Sequence, residues 1–438
     1  MNKQKPKVCI IGAGSTGITA AKALKEKGIA FDCYEKGSDI GGNWRYNNDN
    51  SLSSAYRTLH IISSKWNMQY SDFPMPDEFP DYGHHTDVLR YFENYVDHFD
   101  IRKSITFNTE VRDVSPTESN TWNVTLSSGK TICYSAVLIA NGHHWNPRLP
   151  DFPGQFNGEQ IHSHFYKSPE KYENKNVLVV GIGNSGCDIA IDLCRLAKNV
   201  YLSTRRSAHV IPKYLIGKPT DTWATPSLDA YTPLWFKRLF IKTLTYLTVG
   251  NQENYGLPKP KHKLLSEHPT VNQEFLAYVG HGRVKIKPNI GELQGDSVSF
   301  ADGSREPFDA IIYATGYQIA FPFLKPEIFE VKGNQASLYR RVIHPDLPNL
   351  YFLGLIQPLG AIMPLAEIQG KWIAGVINND YALPDKQTML KWIQRDKTIL
   401  QKRYVDSPRH TIQVDFWDYF HQIKREMRQG ARRAVKAS

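Results

Sequence analysis

The feature that most limits what this chain can fold into is that it repeats itself. Val8-Cys9-Ile10-Ile11 is a short apolar run followed at once by Gly12-Ala13-Gly14-Ser15-Thr16-Gly17 and a helical pattern through Lys27. Val177-Leu178-Val179-Val180 leads in the same way into Gly181-Ile182-Gly183-Asn184-Ser185-Gly186 and a helical pattern through Ala197. A lone G-x-G-x-x-G means little. Strand before and helix after give its glycines their three tasks: a tight turn, close approach of backbone to a pyrophosphate, and helix–strand packing. The parallel continues downstream. Ser135-Ala136-Val137-Leu138-Ile139-Ala140-Asn141-Gly142 and Asp309-Ala310-Ile311-Ile312-Tyr313-Ala314-Thr315-Gly316 are both buried-strand runs ending in a small-residue turn. Each follows a hairpin-like stretch, around Ser128-Gly129 and around Asp302-Gly303. The 438 residues leave room for two or three domains at ~150 residues each. The expected fold is α/β, with two Rossmann-like dinucleotide-binding domains. Residues 1–155 and 320–438 form the first, discontinuous because Leu350-Tyr351-Phe352-Leu353-Gly354 reads as a strand returning to it. Residues 156–319 form the second, with a helical insertion around 214–280.

The two loops differ where specificity is set, roughly 20 residues on, at the end of the second strand. In the first copy that place is Glu35, 23 residues after Gly12. A carboxylate accepts hydrogen bonds from ribose hydroxyls and repels a 2′-phosphate, so the first site suits FAD or NAD. The same offset from Gly181 lands on Thr204, followed by Arg205 and Arg206. A hydroxyl and guanidinium groups suit a 2′-phosphate, so NADPH is the expected second ligand. Gly41-Gly42-Asn43-Trp44 follows Glu35 closely, a double glycine that admits a close backbone approach, with Trp44 beside it.

Charge and cysteine usage narrow the class. The net charge is +10, yet no long Lys/Arg run occurs in the body of the chain; the basic stretch from Lys424 to Lys436 reads as a solvated helical end. No nucleic-acid partner is expected, and a homo-oligomer is left open. Five cysteines lack any C-x-x-C spacing, which fits reduced thiols in a cytoplasmic protein. MNKQKPK runs directly into VCIIG, so no secretory leader is expected. No run of 18 apolar residues predicts a transmembrane segment. Leu234 to Leu247 reads as an amphipathic helix facing a core or forming a lid, with Lys237, Arg238 and Lys242 on one stripe, rather than one lying on a membrane. The pairs His84-His85 and His143-His144 lack the spacing of a metal site.

With these motifs in order, the chain resembles the flavin-containing monooxygenases over essentially its whole length. Both glycine loops and Gly41-Gly42-x-Trp44 match that family's pattern. Phe156-x-Gly158-x-x-x-His162-x-x-x-Tyr166 matches its identifying motif, and Tyr313-Ala314-Thr315-Gly316-Tyr317 its A-T-G-Y linker. Arg409-His410-Thr411-Ile412-Gln413-Val414-Asp415 is also similar. The resemblance implies the two-dinucleotide-binding fold of the glutathione-reductase type, with FAD first and NADPH second. FAD would lie on Gly12, Gly14, Ser15, Gly17, Glu35, Lys36, Gly42, Trp44, Val111 and Ala140. NADPH would lie on Gly181, Gly183, Asn184, Ser185, Gly186, Thr204, Arg205 and Arg206. The implied partners are dioxygen and a small-molecule substrate, and the implied chemistry is flavin reduction by NADPH, a C4a-hydroperoxyflavin, and transfer of one oxygen atom to an amine nitrogen or sulfide sulfur. His162 is expected to be structural. Tyr166 stands where the related Baeyer–Villiger oxygenases carry Trp, which tilts the reading toward heteroatoms over ketones.

One departure stands out. The family places Asn before a Ser/Thr-Ser-Lys run; here Leu59-His60-Ile61-Ile62-Ser63-Ser64-Lys65 puts Ile62 there, and an isoleucine side chain makes no hydrogen bond. The expectation is a leakier enzyme that releases hydrogen peroxide, or compensation from His60 or Ser63. A disulfide reductase would need a cysteine pair after the GG turn, and none is present; a catalytically idle NADPH sensor would bind no flavin.

Overall fold

The computed structural model describes residues 7–223, 232–405, 407 and 411–437. The chain divides into two compact units, one of residues 1–53, 65–146 and 318–438, the other of residues 54–64 and 147–317.

In the first unit five parallel strands lie in the order Leu350–Phe352, Ala136–Ile139, Lys7–Ile11, Ala30–Tyr34 and Ile105–Thr106. An all-parallel sheet is covered on both faces, which is why Val8 to Ile11 and Ala136 to Ile139 are buried without alternation. Helix Ser15–Glu26 packs against helix Met363–Ile377, and the latter against the C-terminal helix Phe416–Ala437. Three antiparallel strands, Val111–Pro116, Trp122–Leu126 and Thr131–Tyr134, add a small sheet whose Trp122 and Val124 join the core. The C-terminal basic stretch is helical, and Lys424, Arg428, Arg432 and Lys436 are exposed, but the helix also docks on the unit. It buries Tyr419, Ile423 and Glu426; Arg433 pairs with Glu426 and donates to the Ala382 carbonyl at 2.9 Å.

The second unit repeats the plan. Its parallel strands run Val284–Lys287, Asn199–Ser203, Asn176–Val180, Ala310–Tyr313 and Glu159–His162, with the glycine-loop strand again central. Its own antiparallel group, Ile290–Gly295, Ser297–Phe300 and Arg305–Pro307, contains the second hairpin read from the sequence. Val177, Leu178 and Val179 are fully buried, and each such side chain contributes roughly 1.5–3 kcal/mol. The stretch around 214–280 is only partly helical. It holds a short hairpin, Tyr214–Leu215 with Lys218–Pro219, the helix Leu234–Val249 and the short helix Phe275–Gly280.

Helix Leu234–Val249 meets the sequence expectation only in part: Leu244, Phe240 and Ile241 face a small core and Lys242 is exposed. Arg238 points inward and donates to the Leu264 carbonyl and Ser266 Oγ, both at 2.7 Å, while Trp235, Phe236, Leu239, Tyr246 and Leu247 are exposed. Leu244 is its one buried residue. Arg238 departs from the charged stripe because the Leu264 carbonyl and Ser266 Oγ accept its guanidinium, partners that local sequence does not reveal.

Candidate functional site

The first cradle forms where strand Lys7–Ile11 ends. Gly12 turns the chain at φ +100°, and a Cβ there would sit 2.7 Å from the Ala140 carbonyl oxygen. A Cβ on Gly17 would lie 1.8 Å from the Gly12 carbonyl oxygen, so only glycine lets helix Ser15–Glu26 seat on the loop. That helix starts at Gly14 with no side-chain cap and no acid in its first turn, which leaves its N–H groups and dipole for an anion. Gly41 donates to the Ala13 carbonyl at 3.1 Å, and Gly42 presses toward Gly14, so the double glycine closes on the first loop itself. Trp44 follows in the turn Gly42–Trp44, half-buried. Glu35 is buried, and its carboxylate accepts from the Ala13 and Gly37 N–H groups, both at 2.8 Å, and from Asn50 Nδ2 at 3.1 Å. A carboxylate offers about four acceptor positions, so ribose can still be bound. Ala140 donates to the Ile11 carbonyl and floors the loop. Val111 is buried in the strand that follows Thr109, whose N–H reaches the Glu35 carbonyl; Lys36 is tied to Glu110 at 2.9 Å. Sequence reasoning missed Asn50, and also Tyr70, whose hydroxyl donates to the Ser15 carbonyl at 2.8 Å. Both come from irregular segments without periodicity.

The second cradle repeats this geometry. Gly181 has φ +113° with the Ala314 carbonyl 2.5 Å from a would-be Cβ, and a Cβ on Gly186 would meet the Gly181 carbonyl at 2.0 Å. Helix Asn184–Leu193 begins at Gly183, again without a side-chain cap or a first-turn acid, and Ser185 lies in that first turn. Asn184 Oδ1 accepts from the Val271 N–H at 2.7 Å, which ties the loop to the strand Thr270–Val271. Beyond strand Asn199–Ser203, Thr204 Oγ1 accepts from the Ser207 N–H at 3.0 Å. Arg206 is held by Glu267 at 2.8 Å and is already neutralised. Arg205 is exposed and makes no ion pair among the described residues. It lies close enough to Arg148 to repel it, although burial is the larger cause lowering the Arg148 pKa. Arg148 was not among the sequence candidates. Its Nη2 donates to the Thr315 carbonyl at 2.9 Å, beside the A-T-G-Y turn. Two neighbouring guanidinium groups make the second cradle basic where the first ends in an acid.

Two uncapped helix N-termini of opposite preference fit two dinucleotides, and comparison with known proteins agrees. Residues 5–432 match the family described as flavin-binding monooxygenase-like. The chain belongs to that family. Flavin-containing monooxygenase 5 of Mus musculus is 40% identical over 445 residues, covering 96% of this chain and 82% of that protein. The structure of S-allyl-L-cysteine S-oxygenase from Allium sativum superposes with a TM-score of 0.73 at 25% identity, over 98% of this chain and 92% of that one. The structure of OTEMO in complex with FAD and NADP has a TM-score of 0.74 at 19% identity, over 98% and 99% of the two chains. This flavin-binding monooxygenase is an FAD- and NADPH-dependent enzyme of the two-dinucleotide-binding fold.

The segment of residues 54–64, which carries Ile62, is fastened within the second unit of this monooxygenase. Tyr56 donates to Asp188 Oδ2 at 2.6 Å, Lys213 Nζ donates to the Ile61 carbonyl at 3.1 Å, and the Ser64 N–H donates to Asp221 Oδ2 at 2.7 Å. Asp188 stands one turn into the helix that follows the second glycine loop, and Asn272 Nδ2 also binds it at 2.7 Å. Burial raises the Asp188 carboxyl pKa and lowers that of the Lys213 ammonium. Within this fastening Ile61 is buried, Ile62 is half-buried, and His60 is exposed with Nδ1 on the Thr58 carbonyl. Of the identifying motif, His162 Nε2 is 3.0 Å from the Gly316 carbonyl and Nδ1 accepts from the His164 N–H at 3.1 Å. Those roles require neutral imidazole with the proton on Nε2, and burial lowers its pKa to about 4. Tyr166 is buried and donates to Asp192 at 2.8 Å. Of the C-terminal motif, Arg409 and His410 lie outside the described residues.

Proposed function

We propose that this monooxygenase places one oxygen atom on soft nucleophiles, amine nitrogen or sulfide sulfur. The observation that carries the FAD and NADPH dependence of the reading is the pair of cradles that end oppositely, Glu35 in one and Thr204 with Arg205 in the other. Bound NADPH supplies two electrons and bound FAD the activation of dioxygen. The first-loop backbone from Gly12 to Gly17 would hold the FAD pyrophosphate, with Glu35 on the ribose. The loop from Gly181 to Gly186 would hold the NADPH pyrophosphate, with Thr204, Arg205 and Arg148 around the 2′-phosphate. Glu267 leaves Arg206 a lesser part. No side-chain nucleophile is needed; the protein binds, orients and excludes water. Support for heteroatoms over ketones comes from Tyr166 and from the sulfur-oxygenating relative. Ile62, lacking any hydrogen-bonding atom, supports appreciable release of hydrogen peroxide. Five free thiols, four of them buried, support a cytoplasmic location.

The test is steady-state NADPH oxidation with an amine, a thioether and a ketone, with peroxide measured alongside. Amine or thioether oxide is the expected product. Lactone or ester from the ketone as the main product would overturn the substrate class.

A further inference from the structure

Helix Asn184–Leu193 packs Cys187, Ile189 and Ala190 into the core of the second unit, and Asp188 sits half-buried among them. A carboxylate drawn out of water is costly unless its oxygens find donors. Here both do. Oδ2 accepts from the Tyr56 hydroxyl at 2.6 Å and Oδ1 from Asn272 Nδ2 at 2.7 Å, and both donors are buried. Burial pushes the carboxyl pKa up, while the Tyr56 bond, the Lys213 charge and the Asn272 bond work against it. The fold itself does not demand an acid here. Asp188 stands seven residues after Gly181, and the same offset from Gly12 is Thr19. Thr19 turns its hydroxyl back on its own helix, to the Thr16 carbonyl at 2.9 Å. Only the second copy reaches outward from this place.

The two donors lead in different directions. Asn272 ends a run of three residues laid along the second glycine loop. Thr270 Oγ1 donates to the Ile182 carbonyl at 2.6 Å, and the Val271 N–H donates to Asn184 Oδ1 at 2.7 Å. Tyr56 leads instead into the irregular segment 54–64, where its carbonyl accepts from the Leu59 N–H at 3.0 Å. Lys213 follows the strand Val210–Ile211, which pairs with Thr270–Val271, and it reaches the Ile61 carbonyl at 3.1 Å. An irregular segment opens locally at low cost unless side chains hold it. The Tyr56 bond joins this one directly to the helix on whose N-terminus a dinucleotide pyrophosphate would rest. Resting on the assignment of NADPH to that loop, we propose that Asp188 is a positioning residue. It holds the Ile62 segment on the helix of the second dinucleotide loop, so that dinucleotide binding and the place of residue 62 are set together.

The experiment is amide hydrogen exchange of the flavin-loaded full chain, with and without NADP+, in wild type, Tyr56→Phe and Asp188→Asn. Without NADP+, residues 57–64 are expected to exchange about tenfold faster in both variants, the effect of one hydrogen bond to a charged group. The core strand Asn176–Val180 should exchange as in wild type. NADP+ should slow exchange over 57–64 in wild type and not in Tyr56→Phe, while slowing residues 181–186 in both. In steady state, peroxide formed per NADPH should rise in Tyr56→Phe while KM for NADPH stays within about twofold, the split that a positioning role predicts. Equal exchange over 57–64 in wild type and both variants overturns the proposal. So does an equal acceleration of Asn176–Val180, which would make Asp188 a general support of the fold. Failure of NADP+ to slow 181–186 in wild type would sink the NADPH assignment instead, and the comparison without NADP+ would still decide what Asp188 holds.

Discussion

Glu35 and Thr204 each follow the second strand of a glycine-loop unit, and in the proposed function their chemistry sets what each copy accepts. Glu35 is held by three hydrogen bonds from its own loop region, so it cannot turn away from a ligand at low cost. Arg205 has no such restraint and no acidic partner among the described residues, which makes it the residue whose loss a 2′-phosphate should register most. Arg205→Ala is expected to raise KM for NADPH about tenfold to a hundredfold and to leave KM for NADH unchanged, since a charge-assisted hydrogen bond is worth ~1.5–3 kcal/mol. Steady-state kinetics with both coenzymes would check it, and equal effects on the two would remove Arg205 from the phosphate site. His162 makes a different prediction. Its folded pKa of about 4 lies below the ~6.5 of a free imidazole. As pH falls from ~6.5 to ~4 the unfolded chain takes up a proton that the folded chain refuses, so His162 costs stability over that window and nothing above it. His162→Asn should therefore flatten the loss of melting temperature between pH 6.5 and 4.5. An unchanged slope would mean that the imidazole is already charged in the folded protein.

At the scale of elements, the segment of residues 54–64 joins the nicotinamide-dinucleotide unit although it lies in sequence between parts of the flavin unit. Bonds at the Tyr56 hydroxyl, the Ile61 carbonyl and the Ser64 N–H hold it, so Ile62 stands at a defined place, where the family resemblance implies an Asn. Ile62→Asn is expected to lower peroxide formed per NADPH consumed roughly tenfold, the effect of one buried hydrogen bond worth ~1–3 kcal/mol. Equal coupling in the two proteins would show that His60, Ser63 or another group already does the work. Helix Leu234–Val249 shows why element orientation escapes local reading. Its hydrophobic pattern was plain, but which face met the protein depended on Leu264 and Ser266, more than 20 residues away.

For the whole molecule, each unit has its own buried core, Trp122 and Phe352 in one and Phe275 and Ile312 in the other. Each also has its own dinucleotide loop, so ligands should stabilise the units separately. Calorimetry of flavin-stripped protein is expected to show two transitions, one raised by FAD and the other by NADP+, each by ~2.7 kcal/mol at a hundredfold excess over Kd. One transition moved equally by both ligands would refute independent stabilisation.

The doubled glycine loops were legible because their constraint is local. A turn at φ near +100°, a helix start without a side-chain cap and a strand buried on both faces each demand particular residues within a few positions. The acid at 35 and the hydroxyl and base at 204 and 205 could be read for the same reason. Asn50 on Glu35, Arg148 beside Arg205, Glu267 taking Arg206, and the docking of the C-terminal helix through Glu426 and Arg433 were not legible. Each joins residues that only folding brings together, and no spacing along the chain records which of several charged or polar groups a side chain will find. Local backbone geometry was written in the sequence; the choice of partner was made by the tertiary structure.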